Sequence, residues 1–260
     1  KVLINNFEFE SSPNFLNSGL VNERKFLVKN VNSSASNSAK FKNKNSFSLI
    51  PSFQTNYSLP MIKETIKSRN TLTPKLSLRL STPHTKDVRR IDRKIDYNNI
   101  YDLDRLGIDD SNEGGISLTY GYEQSIVDKS SLEEKLKFGF ANNLRFEENK
   151  DLPLNSNLGD KVSDFVGALE YKPNKNFKFD YDFSLKNNLN EINYELYGFE
   201  FYLKNLTTKF EYQNENNSSL KTSYLKNETR FDLNEKSSLI FETRENKEKS
   251  FTEFYNLIYQ

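Results

Sequence analysis

The densest charge in the sequence is Lys86-Asp-Val-Arg-Arg-Ile-Asp-Arg-Lys94, where Arg89, Arg90, Arg93 and Lys94 crowd together. Guanidinium forks match phosphate oxygens two at a time, so this run is a candidate anion contact. Asp87 and Asp92 are interleaved with it and are placed to pair with the arginines locally, which favours a solvated loop instead. Paired acids occur at Asp109-Asp110, Glu133-Glu134 and Glu147-Glu148. A glycosidase needs two carboxyl groups facing each other about 5–9 Å apart. Adjacent residues on a strand point to opposite faces, so these pairs read as solvated turns, with divalent-cation binding considered only for Asp109-Asp110. His84 is the single histidine, which excludes a Ser-His-Asp triad or a His-based metal site built in the usual way. It follows Ser81-Thr-Pro at a strand end and is expected in a surface loop. Gly114-Gly115 lacks the following Lys-Ser/Thr of a phosphate loop. Asn205-Leu-Thr207 and Asn227-Glu-Thr229 are chance matches to a glycosylation triplet in an Asn-rich chain. No catalytic residue, cofactor site or metal site is expected, and the chain does not read as an enzyme.

The elements that carry these residues are constrained by composition. Lys+Arg 37 against Asp+Glu 36 gives a net charge of +1, which argues against a nucleic-acid partner. A hydrophobic fraction of 35% and a mean hydropathy of −0.78 are low for a soluble domain of this size. Yet Tyr 14 and Phe 21 are too many rings for a disordered chain, so something buries them. Without cysteine there is neither a disulfide scaffold nor a zinc-cysteine site. No run approaches the roughly 18–20 apolar residues of a membrane helix. The opening Lys1-Val2-Leu3-Ile4 and the closing Tyr255–Gln260 both read as strand sequence, as if cut from a longer protein.

Alternation with period two dominates. Phe177, Phe179, Tyr181 and Phe183 share one face, while Lys178, Asp180 and Asp182 share the other. Ile116, Leu118, Tyr120 and Tyr122 repeat the pattern. So do Leu136, Phe138 and Phe140. Strands are expected near 2–9, 24–31, 46–58, 72–81, 115–124, 132–143, 164–171, 177–186, 190–202, 206–213, 219–231, 237–244 and 251–259, with longer irregular stretches at 82–113 and 145–163. Alternation alone fits a soluble β-sandwich binding module as well as a membrane barrel. Segments of about 10 residues, the scarcity of Gly and Pro, and short turns alternating with long loops favour an antiparallel up-and-down outer-membrane β-barrel. The Phe and Tyr faces are then lipid-facing, and Lys178, Asp180 and Asp182 are lumen-facing.

Ordered words narrow this further. Leu72-Thr-Pro-Lys-Leu-Ser-Leu-Arg-Leu-Ser81 resembles a segment of LptD (OstA) barrels, especially of alphaproteobacterial type. Gly19-Leu20, Leu27–Ser33, Asn37-Ser38 and Tyr57–Pro60 precede it in the order that family shows. Asn98–Gly107, then Glu113-Gly114 and Leu118–Gly121, is similar to the family's loop motif, onto which Asp104, Arg105 and Gly114 fall. Asp109-Asp110-Ser111-Asn112 looks like an insertion there, and Thr252–Tyr259 resembles a strand near the end of the barrel.

The resemblance implies that 1–260 is part of a C-terminal transmembrane barrel domain, about 12–14 strands of a larger barrel, which inserts lipopolysaccharide into the outer leaflet of the outer membrane. Implied partners are lipopolysaccharide, an LptE-like plug lipoprotein, and periplasmic Lpt components reached through an N-terminal domain absent from this sequence. Arg89, Arg90, Arg93 and Lys94 would then meet lipopolysaccharide phosphates. A passive diffusion porin or receptor barrel is the alternative, with 82–113 as an inward-folded, charge-bearing loop.

Overall fold

The computed structural model describes residues 1–36, 44–83, 85–216 and 221–260. His84, Asn37-Ser38 and the first residues of the strand expected at 219–231 lie outside them. Within the described residues every regular element is a strand. These are β1 (Val2–Glu10), β2 (Asn14–Phe15), β3 (Val21–Ser34), β4 (Asn45–Ser58), β5 (Met61–Glu64), β6 (Ser68–Ser81), β7 (Gly115–Asp128) and β8 (Glu134–Arg145), then β9 (Phe165–Asn174), β10 (Phe177–Leu185), β11 (Ile192–Leu203), β12 (Leu206–Asn216), β13 (Lys221–Asn234), β14 (Ser237–Asn246) and β15 (Phe251–Tyr259). One antiparallel sheet joins them in the order β1-β3-β4-β6 and then consecutively to β15, with β2 beside β3 and β5 beside β6. β1 and β15 stand at the two ends of this order.

Each of the thirteen expected segments coincides with one strand of this path. The structure adds β2 and β5. Met61–Glu64 turns back onto Arg69–Leu72, a short hairpin inside a stretch that lacked a clean alternation. Several strands, β3 and β6 among them, also run longer than their apolar pattern, because ladder hydrogen bonds continue past the last apolar residue.

The chain divides into two compact units. The first comprises 1–60, 73–121 and 141–164. Here register carries one apolar row across the sheet: Phe9 opposes Phe26, Phe26 opposes Phe53, and Phe53 opposes Leu80. The next row back is polar, with Glu10 opposite Lys25, Lys25 opposite Gln54, and Gln54 opposite Arg79. A one-residue slip in any strand would exchange these faces. The apolar face is the exposed one, with Phe7, Phe9, Phe47, Leu49, Leu76, Leu80, Ile116 and Tyr120 all open. The polar face is the buried one, and Lys29, Ser52, Gln54, Ser77, Arg79, Ser117 and Thr119 are each 3% exposed or less. That arrangement inverts a soluble sheet, whose apolar face is covered.

Loops do the covering. Val88, Ile95, Ile100, Leu103 and Leu106 in 82–114, with Leu152 and Leu158 in 146–164, are all buried. The two loops are joined by Val88 N–H to the Asp151 carbonyl at 2.8 Å and Leu154 N–H to the Arg89 carbonyl at 3.3 Å. Asn149 Nδ2 adds a bond to Thr85 Oγ1 at 2.9 Å.

The second unit comprises 61–72, 122–140 and 165–260. Its apolar face is aromatic: Tyr171, Phe179, Phe199 and Phe210 oppose one another in turn across β9 to β12. Ring centroids lie 5.2 Å apart for Phe177–Phe201, 5.0 Å for Phe179–Phe199 and 4.5 Å for Tyr181–Tyr197, distances at which aromatic pairs attract. Gly167 is required beneath Phe183, because a Cβ there would stand 2.4 Å from the ring. The opposite face is a charge ladder in which Lys178, Glu200, Lys209 and Glu228 stand in register. Lys178 bonds Asp180 at 2.9 Å and Glu170 at 3.3 Å, and Lys209 lies 3.1 Å from Glu211.

Candidate functional site

The polar face of the first unit holds the most heavily buried charges described, and loop 82–114 is fastened there. Lys29, midway along β3, donates to Asp104 Oδ2 at 2.6 Å and to the carbonyls of Ile108 and Ser111 at 2.5 and 3.0 Å. Gln54 on β4 donates to the Tyr101 carbonyl at 2.6 Å. Tyr97 and Tyr101 meet edge to face with centroids 6.1 Å apart, and Lys75 Nζ stands 5.7 Å from both rings. Lys75 precedes the end of β6 by six residues, so the loop descends about 20 Å along the strand at the usual rise per residue.

At its C-terminal end the loop closes on a carboxylate surrounded by arginines. Arg105 grips Glu113 in a two-point fork, Nε to Oε2 at 2.8 Å and Nη2 to Oε1 at 2.6 Å. Arg145, at the end of β8, bonds Glu113 Oε1 and the Gly114 carbonyl. Arg79 on β6 places Nη1 3.9 Å from the same carboxylate. The remaining donors are almost all used. Arg105 reaches Asn143 at 2.8 Å, Ser117 at 2.8 Å and Thr119 at 3.2 Å. Arg79 reaches the Leu103 carbonyl and Asn112 Oδ1, both at 3.0 Å, and Asn112 in turn holds Ser52 at 2.7 Å. Burial by itself would raise the Glu113 carboxyl, but Arg105, Arg79 and Arg145 together hold it down at about 2. Glycine is obligatory at 114, where a Cβ would lie 2.7 Å from the Thr82 carbonyl oxygen and 2.8 Å from that of Pro83.

Of the residues singled out from sequence, Arg105 and Gly114 therefore meet in this buried assembly, while Asp104, about a third exposed, pairs with Lys29 beside it. Arg89 and Arg90 stay exposed, and Arg89 pairs with Asp87 at 2.6 Å, which holds the Asp87 carboxyl at about 2. Arg93 turns inward and donates to the Arg105 carbonyl at 2.7 Å. Lys94 is half-buried. The basic run is thus divided between surface and loop interior. Asp109 is exposed while Asp110 is buried against Lys86 at 3.0 Å, so the two carboxylates diverge. Glu133 pairs with Lys135 at 2.6 Å. In the stretch that looks like an insertion relative to the family motif, Asp109 is exposed while Ser111 and Asn112 are at most 1% exposed. Phe177, Phe179, Tyr181 and Phe183 share the aromatic face, and Lys178, Asp180 and Asp182 the opposite one.

Sequence reading missed Lys29, Arg79 and Arg145 as site residues. Their signal was positional: each sits where the alternation turns a strand residue toward the polar face. Residues 6–238 match the sequence model of a family described as LptD, LPS transport system D. The chain belongs to the LptD family. The matched span takes in both loops and all of Lys29, Arg79, Arg105, Glu113 and Arg145. No individual curated protein matches the chain. Membership ties the chain to lipopolysaccharide transport and to the LPS transport system as its partner set, and the all-strand fold agrees with the barrel resemblance.

Proposed function

We propose that this chain forms part of the wall of an outer-membrane β-barrel domain and inserts lipopolysaccharide into the outer leaflet. The observation that carries the reading is the inverted sheet of the first unit, apolar face open and polar face packed under its own loops. An exposed row such as Phe9, Leu76, Leu80 and Ile116 is stable against acyl chains and a liability in water. In this reading Phe177, Phe179, Tyr181 and Phe183 contact lipid, and Lys178, Asp180 and Asp182 line a hydrated lumen. Loops 82–114 and 146–164 emerge from the same end of the sheet, which becomes the cell exterior because barrels carry their long loops there. Arg89 and Arg90, exposed on that loop, are positioned to meet headgroup phosphates, and Arg93 and Lys94 support them from within. An LptE-like lipoprotein is the proposed plug. The chain acts by shape and electrostatics, without covalent chemistry.

The inward loop also fits the porin alternative, since diffusion pores narrow in this way. Here, however, the loop's charges are spent on the wall: Arg105 and Glu113 are fully buried and paired. The test is depletion of the protein from its cell while newly made lipopolysaccharide is followed to the surface. Lipopolysaccharide stalled short of the outer leaflet is expected. Normal surface lipopolysaccharide with impaired uptake of small solutes would overturn the reading in favour of a pore.

A further inference from the structure

The Glu113 cluster is unbalanced. Arg79, Arg105 and Arg145 converge on one carboxylate, leaving two positive charges without a counter-charge in the cluster. The nearby carboxylates of Asp104 and Asp110 are engaged by Lys29 and Lys86. Geometry repeats the mismatch. Glu113 Oε1 accepts from Arg105 and Arg145, and Oε2 accepts from Arg105. Oε1 is already shared by two guanidiniums, and Arg79 Nη1, 3.9 Å from it, is buried without a hydrogen bond. A buried guanidinium donor left unmet costs free energy, and such positions mark sites completed by something else.

We infer that Arg79, Arg105 and Arg145 form a cradle for a phosphate-class oxyanion, and that the Glu113 carboxylate is its resident stand-in, displaced when the anion arrives. A tetrahedral anion presents a third oxygen out of the plane of the first two, toward Arg79, and doubly ionised phosphate offsets two of the three guanidinium charges where a single carboxylate offsets one. The exchange has a hinge. Gly114 and Gly115 follow Glu113, and Gly115 holds φ +94°, a conformation open mainly to glycine. Loss of the Glu113 contacts weakens the C-terminal fastening of loop 82–114, leaving Asn112 on Ser52 and the Lys29 and Gln54 contacts to hold it. Only the source of the phosphate, a phosphorylated glucosamine headgroup or free phosphate, rests on the function proposed above.

The test uses the full-length protein in detergent, titrated at constant ionic strength with inorganic phosphate, with a bisphosphorylated glucosamine disaccharide, and with chloride as control. Glu113→Gln removes the competing charge and should tighten phosphate binding at least about tenfold over the parent. Adding Arg79→Gln to that variant should abolish the gain. Should Glu113→Gln fail to fold, Glu113→Asp withdraws the carboxylate while keeping its charge, and a smaller gain in phosphate affinity is expected. Binding of both phosphate ligands supports a headgroup site. Binding of inorganic phosphate alone supports the cradle and places its ligand elsewhere than the lipid. No preference for phosphate over chloride, or a gain that survives loss of Arg79, would overturn the inference. None of these outcomes depends on the depletion experiment, so the two readings fail separately.

Discussion

Arg105 and Glu113, eight residues apart on one loop, meet in a two-point ion pair with 1% or less of either side chain exposed. The pair joins a loop to a wall, because Arg105 also holds Ser117 and Thr119 on β7 and Asn143 on β8. A long excursion between two strands is thereby a packed part of the sheet's polar face.

Arg105→Ala leaves Glu113 paired with Arg145, but it removes the fork and strips the buried Ser117, Thr119 and Asn143 of the donor they accept from, at about 1–3 kcal/mol for each group left unmet. Arg105→Ala should therefore release loop 82–114. Limited proteolysis of the full-length protein is expected to cut within 88–106 in the variant and not in the parent. Arg105→Lys should not restore protection, since an ammonium cannot form the fork. Protection equal to the parent in Arg105→Ala would show that the pair does not fasten the loop.

The pH dependence has a definite sign. The Glu113 carboxyl falls from an ordinary 4.5 to about 2 in the folded protein, so its contribution is complete above pH 4.5 and is lost as pH falls through about 2. Amide exchange at Ile100, Leu103 and Leu106 should stay slow from neutral pH down to about 4.5 and accelerate, beyond its intrinsic pH dependence, only below that. Acceleration between pH 7 and 5 would assign the fastening to another group.

Gly114→Ala and Gly107→Ala separate crowding from backbone strain. At 114 the new methyl meets two carbonyl oxygens within 2.8 Å and the loop must shift, costing about 1–3 kcal/mol. Gly107 sits at φ +60° with its nearest neighbour 3.7 Å away, so alanine there costs only the conformational penalty of about 1–2 kcal/mol. Thermal unfolding of the two variants should rank 114 below 107.

Much of this was legible in the sequence, and the reason is local. Alternation is a nearest-neighbour property, so Phe177 to Phe183 disclosed a strand and its two faces without knowledge of any partner. The boundaries of 82–113 were visible because alternation stops at Ser81 and resumes at Gly115. The fastening of that loop was hidden. Arg79 and Arg145 lie 34 and 32 residues from Glu113, and nothing in the intervening sequence states that they meet. Buried loop aliphatics such as Ile100 and Leu103 also carry no period, so a core made by a loop looks like a solvated stretch with scattered apolar residues. The words that resemble LptD did flag Asp104, Arg105 and Gly114, but what those residues hold together emerged only from the fold.

The central claim is that one sheet face meets lipid and the other water, and β10 tests it residue by residue. The chain has no cysteine, and with any cysteine elsewhere in the full-length protein replaced by serine each one introduced reports alone. Single cysteines at 177 to 183 in the full-length protein, embedded in membranes, are treated with a charged, water-soluble maleimide. Reaction is expected at 178, 180 and 182, with 177, 179, 181 and 183 protected. Faster labelling at 179 than at 180, or equal labelling along the whole strand, would contradict the account.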